Sequence, residues 1–257
     1  MKSLLLFDVD GTLAESTLKV KQNMIEKLIE LKEKDEMELA IVGGGTYEKI
    51  VSQIGKENFY LFSYIFSENG LVSYKQNEEF HTNNLKKVWG EKLSQSIINT
   101  CLEYIIKLDI PFKRGSFIRF RNGMLYVTPM GGDCSLEERA IFAEYDNKHN
   151  VRTKMVNYLL KVFENENVDV RIGGQIGIGI HPKGWDKSYI YDLIDVNDYR
   201  SITFFGDKCS PNGNDYPLFS HNLTSYSFYV KNPEHTLKIL TKINKKNLKY
   251  NSNTKEH

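Results

Sequence analysis

Three features of this 257-residue sequence predict an α/β fold, built on a parallel sheet and interrupted by an inserted α+β module. The first is an unbroken apolar run at 3–7 (SLLLF) that stops at acidic and glycine residues, the pattern of a strand buried on both faces. The second is a similar run at 201–205 (SITFF), ending at Gly206-Asp207. The third is a stretch from about 83 to 182 where strand and helix stop alternating and an antiparallel pattern takes over.

Taken in order, Val20, Met24, Leu28 and Leu31 recur at helical spacing after the first strand. A second strand at 38–42 (ELAIV) stops at Gly43-Gly44-Gly45, which completes a βαβ unit. A helix over 47–54, a strand at 62–66 and a hairpin-like turn at Ser67-Glu68-Asn69-Gly70 continue the pattern. The insertion opens with a helix over 85–108, and Asn122-Gly123 joins strands at 117–121 and 124–128. Helices over 136–145 and 153–163 follow, then strands at 168–172 and 175–181, with His181 a strand-end residue. Beyond Gly184 a helix over 186–195, the strand at 201–205, a strand at 225–229 and a last helix over 233–243 restore the alternation. The expected organisation is a core in two segments, 1–82 and 185–243, an inserted module at 83–184, and a polar, disordered tail at 244–257.

With 40% hydrophobic and 26% charged residues, the chain can bury a sizeable core as one large domain or two small ones. Lys+Arg (34) balance Asp+Glu (33), which leaves no bulk charge to bind nucleic acid or an anionic membrane. No apolar run approaches the roughly 20 residues a bilayer requires, and too few apolar residues follow Lys2 for a secretory signal. Cys101, Cys134 and Cys209 are widely spaced and odd in number, against a disulfide framework. A soluble, cytoplasmic protein is the expectation.

Chemistry concentrates where the buried strands end. Asp8-Val9-Asp10-Gly11-Thr12 leaves the first strand at its carboxyl end, the edge where open α/β sheets bind ligands. Two carboxylates this close repel unless a cation or a proton intervenes, so they suggest a Mg²⁺ site with one acid as nucleophile and the other as acid/base. Asp207 leaves another strand on the same edge and would complete an oxygen shell, with Asn214 and Asp215 as ligands or as supports behind them. Lys187 stands where the chain re-enters the core; it would hold a phosphoryl oxygen or the nucleophilic carboxylate, or is otherwise a solvated surface lysine. Gly43-Gly44-Gly45-Thr46 offers backbone N–H groups and a hydroxyl to an anion. In the insertion, Arg119 and Arg121 share one face of a strand and form a local positive patch, unless they are merely solubilising.

The Asp8–Thr12 loop, Lys187 and Gly206-Asp207 resemble the haloacid dehalogenase superfamily of phosphoryl-transfer enzymes. Ser67-Glu68-Asn69-Gly70-Leu71-Val72, Phe120-Arg121-Asn122-Gly123-Met124-Leu125, Glu137-Glu138-Arg139, Ile172-Gly173-Gly174-Gln175-Ile176 and Gly184-Trp185-Asp186-Lys187 resemble, in order, the eukaryotic-type phosphomannomutases. The resemblance implies a haloacid-dehalogenase-like, Rossmannoid core with an inserted α+β cap. It also implies a Mg²⁺-dependent mutase that interconverts mannose 6-phosphate and mannose 1-phosphate through a hexose 1,6-bisphosphate and supplies GDP-mannose. Asp8 would carry the phosphoryl group, Asp10 would shuttle the proton, and Mg²⁺ on Asp8, Asp10 and Asp207, with Lys187, would neutralise charge. Arg121 and Arg139, with Asn122 and Thr46, would bind substrate, and the caps would form a homodimer.

Departures from the family pattern fall on substrate contacts. Thr17 and Gly132 stand where the family has arginines, Gly177 and Gly179 replace a serine and an aspartate, and Gly45 replaces a serine. Arg114 and Arg119 are the arginines available to compensate. A Mg²⁺-dependent sugar-phosphate phosphatase, or a catalytically weak binding relative, are the other readings the sequence leaves open.

Overall fold

The run at 3–7 forms β1 (Lys2–Phe7), and the computed structural model, which describes residues 1–211 and 213–242, shows why it is apolar throughout. Leu5 and Phe7 enter one buried cluster while Leu4 and Leu6 enter another, so both faces of the strand are covered. Each such side chain taken out of water contributes about 1.5–3 kcal/mol. The chain continues through α1 (Gln22–Lys32), β2 (Met37–Val42), α2 (Tyr47–Ile54), a 3₁₀ turn (Lys56–Leu61), β3 (Phe62–Ser67), β4 (Val72–Lys75) and β5 (Glu78–Thr82). Met24, Ile25, Leu28 and Leu31 are the buried stripe of α1, and Thr46 caps α2 by accepting from the Lys49 N–H. The turn at 67–70 joins β3 to β4 as an antiparallel pair with Ser67 opposite Val72.

The insertion contains α3 (Leu85–Lys107), β6 (Ile118–Phe120), β7 (Leu125–Val127), α4 (Leu136–His149), α5 (Val151–Val162), β8 (Asp169–Gly173) and β9 (Gly177–His181). The chain then returns through a 3₁₀ segment (Lys187–Asp192), β10 (Tyr199–Gly206), α6 (Tyr216–Phe219), β11 (Tyr226–Tyr229) and α7 (Pro233–Lys242). Two compact units result. Among the described residues, the first holds Met1–Thr82, Lys187–Ser210 and 215–242; the second holds Asn83–Asp186, Pro211, Gly213 and Asn214. In the first unit a seven-stranded sheet runs β11-β10-β1-β2-β3-β4-β5, parallel from β11 to β3 and antiparallel beyond. In the second, a four-stranded antiparallel sheet runs β6-β7-β9-β8, and α5 packs against β8 and β9.

Two expected helices differ. The helix over 85–108 is interrupted at Gly90, whose φ of 64° and ψ of 178° suit glycine alone; next to the break the Trp89 indole N–H donates to the Asn167 carbonyl at 2.7 Å. In place of an α-helix over 186–195 stands the 3₁₀ segment. Three residues per turn set Lys187 and Ile190 on one side, and both are fully buried. The segment Pro211–Asn214, which the sequence places in the core, groups with the second unit: Arg171 donates to the Pro211 carbonyl at 2.8 Å and the Asn214 N–H to the Ile172 carbonyl at 3.1 Å. The tail expected at 244–257, like the end of the last helix at Ile243, lies outside the described residues. Among the described residues no helix is long and apolar enough to cross a membrane.

A buried ion pair staples the second unit. Asp146 near the end of α4 accepts from the Arg152 backbone at 2.8 Å and from its Nε at 2.7 Å, and Arg152 Nη1 reaches the carbonyls of Gly174 and Gly177 at 3.1 and 3.3 Å. Removing one partner strands a buried charge, so Asp146→Ala should lower unfolding stability by about 3–5 kcal/mol. Urea titration of the variant checks this; a loss no larger than that of a surface Asp→Ala control would contradict it.

Candidate active site

The parallel pairing of β1 and β10 brings two acids to one sheet edge. Asp8 and Asp207 are the first residues beyond the ends of these strands, and the Asp8 N–H donates to the Phe205 carbonyl at 3.0 Å. Gly11, at φ +87°, turns the chain so closely past Asp207 that a Cβ there would fall 2.5 Å from Oδ2. Asp215 joins them, so that one carboxylate oxygen each from Asp8, Asp207 and Asp215 lies within 4.8 Å of the others.

Lys187 stands among these acids at 0% exposure. Its ammonium donates to Asp8 Oδ1 and, at 2.6 Å, to Asp215 Oδ1. Burial opposes its charge, but the carboxylates of Asp215 and Asp8 outweigh that and hold it above the usual lysine value. Asp215 also accepts from the Lys208 N–H at 2.8 Å, while Lys208 Nζ reaches Asp207 Oδ2 at 2.6 Å. Burial, with the charges of Asp215 and Asp207 added and Lys187 opposing, raises the Asp8 carboxyl well above the ordinary carboxylate range. Burial and the charge of Asp215 push Asp207 up to about 6. Three hard oxygen donors crowded at one point fit a divalent cation such as Mg²⁺.

Asp10 is placed differently. Its carboxylate pairs with Lys49 of α2, and it accepts from Gln53 Nε2 at 2.9 Å and from the Thr17 N–H at 3.1 Å. Burial would raise its proton affinity, yet Lys49 and these hydrogen bonds leave it lowered. Of the five expected metal ligands, then, Asp8, Asp207 and Asp215 come together, Asp10 directs its carboxylate to Lys49, and Asn214 belongs to the second unit. The Thr46 hydroxyl serves the helix cap, and the Gly43 N–H is taken by the Phe66 carbonyl at 2.9 Å. Lys49 and Gln53 escaped the sequence reading, although their spacing of four puts them on one face of α2, directly after its cap.

In the second unit, the Arg121 guanidinium lies over the Tyr126 ring, 4.7 Å from its centroid. Arg139, on α4, donates through Nη2 to the Gly132 carbonyl at 3.3 Å, and its buried Nε has no hydrogen-bond partner. Asn122 is exposed at the hairpin, its carbonyl accepting from the Leu85 N–H at 2.7 Å. Arg114 pairs with Glu138 and Arg119 with Asp133 at 3.9 Å, and Arg119 Nη2 lies 3.1 Å from where a Cβ at Gly132 would stand.

A family model of eukaryotic phosphomannomutase matches residues 24–246. Phosphomannomutase 2 of Dictyostelium discoideum is 40% identical over 238 residues, covering 93% of this chain and 95% of that protein. The phosphomannomutase of Spinacia oleracea is 44% identical over 238 residues, covering 93% and 94%. Among solved structures, a haloacid dehalogenase-like hydrolase from Bacteroides thetaiotaomicron superposes with a TM-score of 0.58 at 15% identity, covering 94% of this chain and 99% of that one, a likeness of fold. By sequence, the chain belongs to the eukaryotic phosphomannomutase family.

Proposed function

We propose that the chain is a Mg²⁺-dependent phosphomannomutase. It interconverts mannose 6-phosphate and mannose 1-phosphate through a phosphoryl group carried on Asp8 and a hexose 1,6-bisphosphate, and so supplies GDP-mannose synthesis in the cytoplasm. The observation that carries this reading is the buried Asp8, ion-paired to a fully buried Lys187 at the end of a central strand.

With the phosphoryl group on Asp8, Lys49 and Gln53 hold Asp10 as a carboxylate, which takes the proton of a sugar hydroxyl as that oxygen attacks the phosphorus and the bond to Asp8 breaks. In the reverse step Asp8 attacks the phosphorus of the bisphosphate as the bond to the other sugar oxygen breaks, and Asp10 returns that proton to it. Lys187 offsets the negative charge of Asp8 and the transferring group. Mg²⁺ bound by Asp8, Asp207 and Asp215 would keep Asp8 ionised and draw charge from the phosphoryl oxygens. Arg121 and Arg139 hold the phosphate that is not transferred; the unpartnered Nε of Arg139 is suited to it. Two caps pair into a homodimer.

The glycines at 132, 177 and 179 favour a second reading, in which fewer sugar contacts let water accept the phosphoryl group. Phosphorus NMR of mannose 1-phosphate with Mg²⁺ and catalytic glucose 1,6-bisphosphate separates the two. The expected product is mannose 6-phosphate, with the rate reduced at least about 10³-fold by Asp8→Asn. Inorganic phosphate alone would establish the phosphatase, and no reaction would leave a binding relative.

A further expectation follows from Asp207. Its carboxyl holds a proton more tightly folded than unfolded, so without metal its contribution to stability is full below about 3.8 and is lost as pH rises through about 6. Mg²⁺ requires the ionised form, which gives its effect the opposite dependence. Thermal unfolding should therefore show a Mg²⁺-induced rise in Tm at about pH 7.5 that shrinks at about pH 5 and is lost in Asp207→Asn. An equal rise at both pH values would contradict it.

A further inference from the structure

One aromatic side chain of the second unit has no place in the scheme above. The antiparallel register sets Arg119 opposite Tyr126, Tyr126 opposite Gly179 and Gly179 opposite Arg171. Residues paired in this way point to one face of a sheet. Leu125, Val127, Ile178 and Ile180, which alternate with them, are fully buried on the other face.

On this row the Tyr126 ring fills the volume that a side chain at 177 would need. A Cβ at Gly177 would fall 2.1 Å from both the ring Cζ and the hydroxyl oxygen, and the hydroxyl donates to the Gly173 carbonyl at 3.2 Å. The backbone beneath is anchored from within the unit, where Arg152 Nη1 donates to the carbonyls of Gly174 and Gly177 at 3.1 and 3.3 Å. The ring is thus wedged against the strand at Gly177, with the Arg121 guanidinium over its face.

We infer that Tyr126, admitted by the bare backbone of Gly177, is a positioning residue that sets the Arg121 guanidinium for the phosphate of a hexose phosphate. This rests on the reading that Arg121 holds the phosphate that is not transferred. A flat ring under a guanidinium fixes its plane, and with it the direction in which its N–H edge faces an anion.

The test measures kcat and KM for mannose 1-phosphate isomerisation, and in parallel the Kd of mannose 1-phosphate by calorimetry. Tyr126→Phe keeps the ring and should stay within about twofold of the parent. Tyr126→Ala should raise KM and Kd roughly three- to tenfold with kcat unchanged. Gly177→Ala, which displaces the ring without removing it, should do the same. In an Arg121→Ala background, Tyr126→Ala should change neither constant further. The inference is overturned if Tyr126→Ala leaves KM and Kd unchanged, if its effect is undiminished without Arg121, or if Tyr126→Phe is as damaging as Tyr126→Ala. Should the parent bind mannose 1-phosphate without isomerising it, the mutase reading fails while the Kd values still decide the role of Tyr126. A parent that does not bind mannose 1-phosphate overturns both.

Discussion

A lysine with no solvent exposure has to be surrounded by negative charge, and in this protein that requirement governs the first unit. Lys187 is held by Asp8, at the end of β1, and by Asp215, beyond the end of β10. The two pairs offset the cost of burying the ammonium only if the strands are neighbours, parallel and in register, which puts Asp8 and Asp207 on one edge. Apolar clusters on both sheet faces provide that frame. The same demand shapes the backbone, since a 3₁₀ segment carries Lys187 and Ile190 into the interior together.

The acids left after Lys187 is paired explain the electrostatics of the site. Asp8 and Asp207 are crowded, desolvated and raised in proton affinity, the condition a divalent cation relieves. Two positions along, Asp10 is in the opposite state: Lys49, Gln53 and Thr17 keep it ionised. Adjacent carboxyls with opposed proton affinities suit the division of labour proposed for them, one reacting with phosphorus and the other moving a proton. The arginines proposed to bind phosphate lie in a unit with its own buried staple, Asp146–Arg152, where glycines stand at positions that the family resemblance assigns to polar side chains.

Much of this was legible in the sequence because it depends on local pattern. Unbroken apolar runs gave β1, β2 and β10, Asn122-Gly123 gave the β6–β7 hairpin, and acids directly after buried strands gave Asp8 and Asp207. What escaped depends on partners far apart in the chain. Nothing local to Asp10 reveals that Lys49 and Gln53, some forty positions on, will engage its carboxylate. Where 186–195 reads as a helix, a 3₁₀ segment buries Lys187, and the helix over 85–108 is broken at Gly90, which alone can take the backbone angles found there. Nothing local to Tyr126 marks it either; its place emerges only beside Gly177, about fifty positions later.

The central claim is that Asp8 takes the phosphoryl group. Incubating the protein with Mg²⁺ and glucose 1,6-bisphosphate, quenching in acid and mapping peptides by mass spectrometry tests it most directly. The account predicts that the peptide containing Asp8 gains the mass of one phosphoryl group, that mannose 1-phosphate added before the quench removes it, and that Asp8→Asn never acquires it. A phosphoryl group found on another residue, or turnover that persists in Asp8→Asn, would contradict the account.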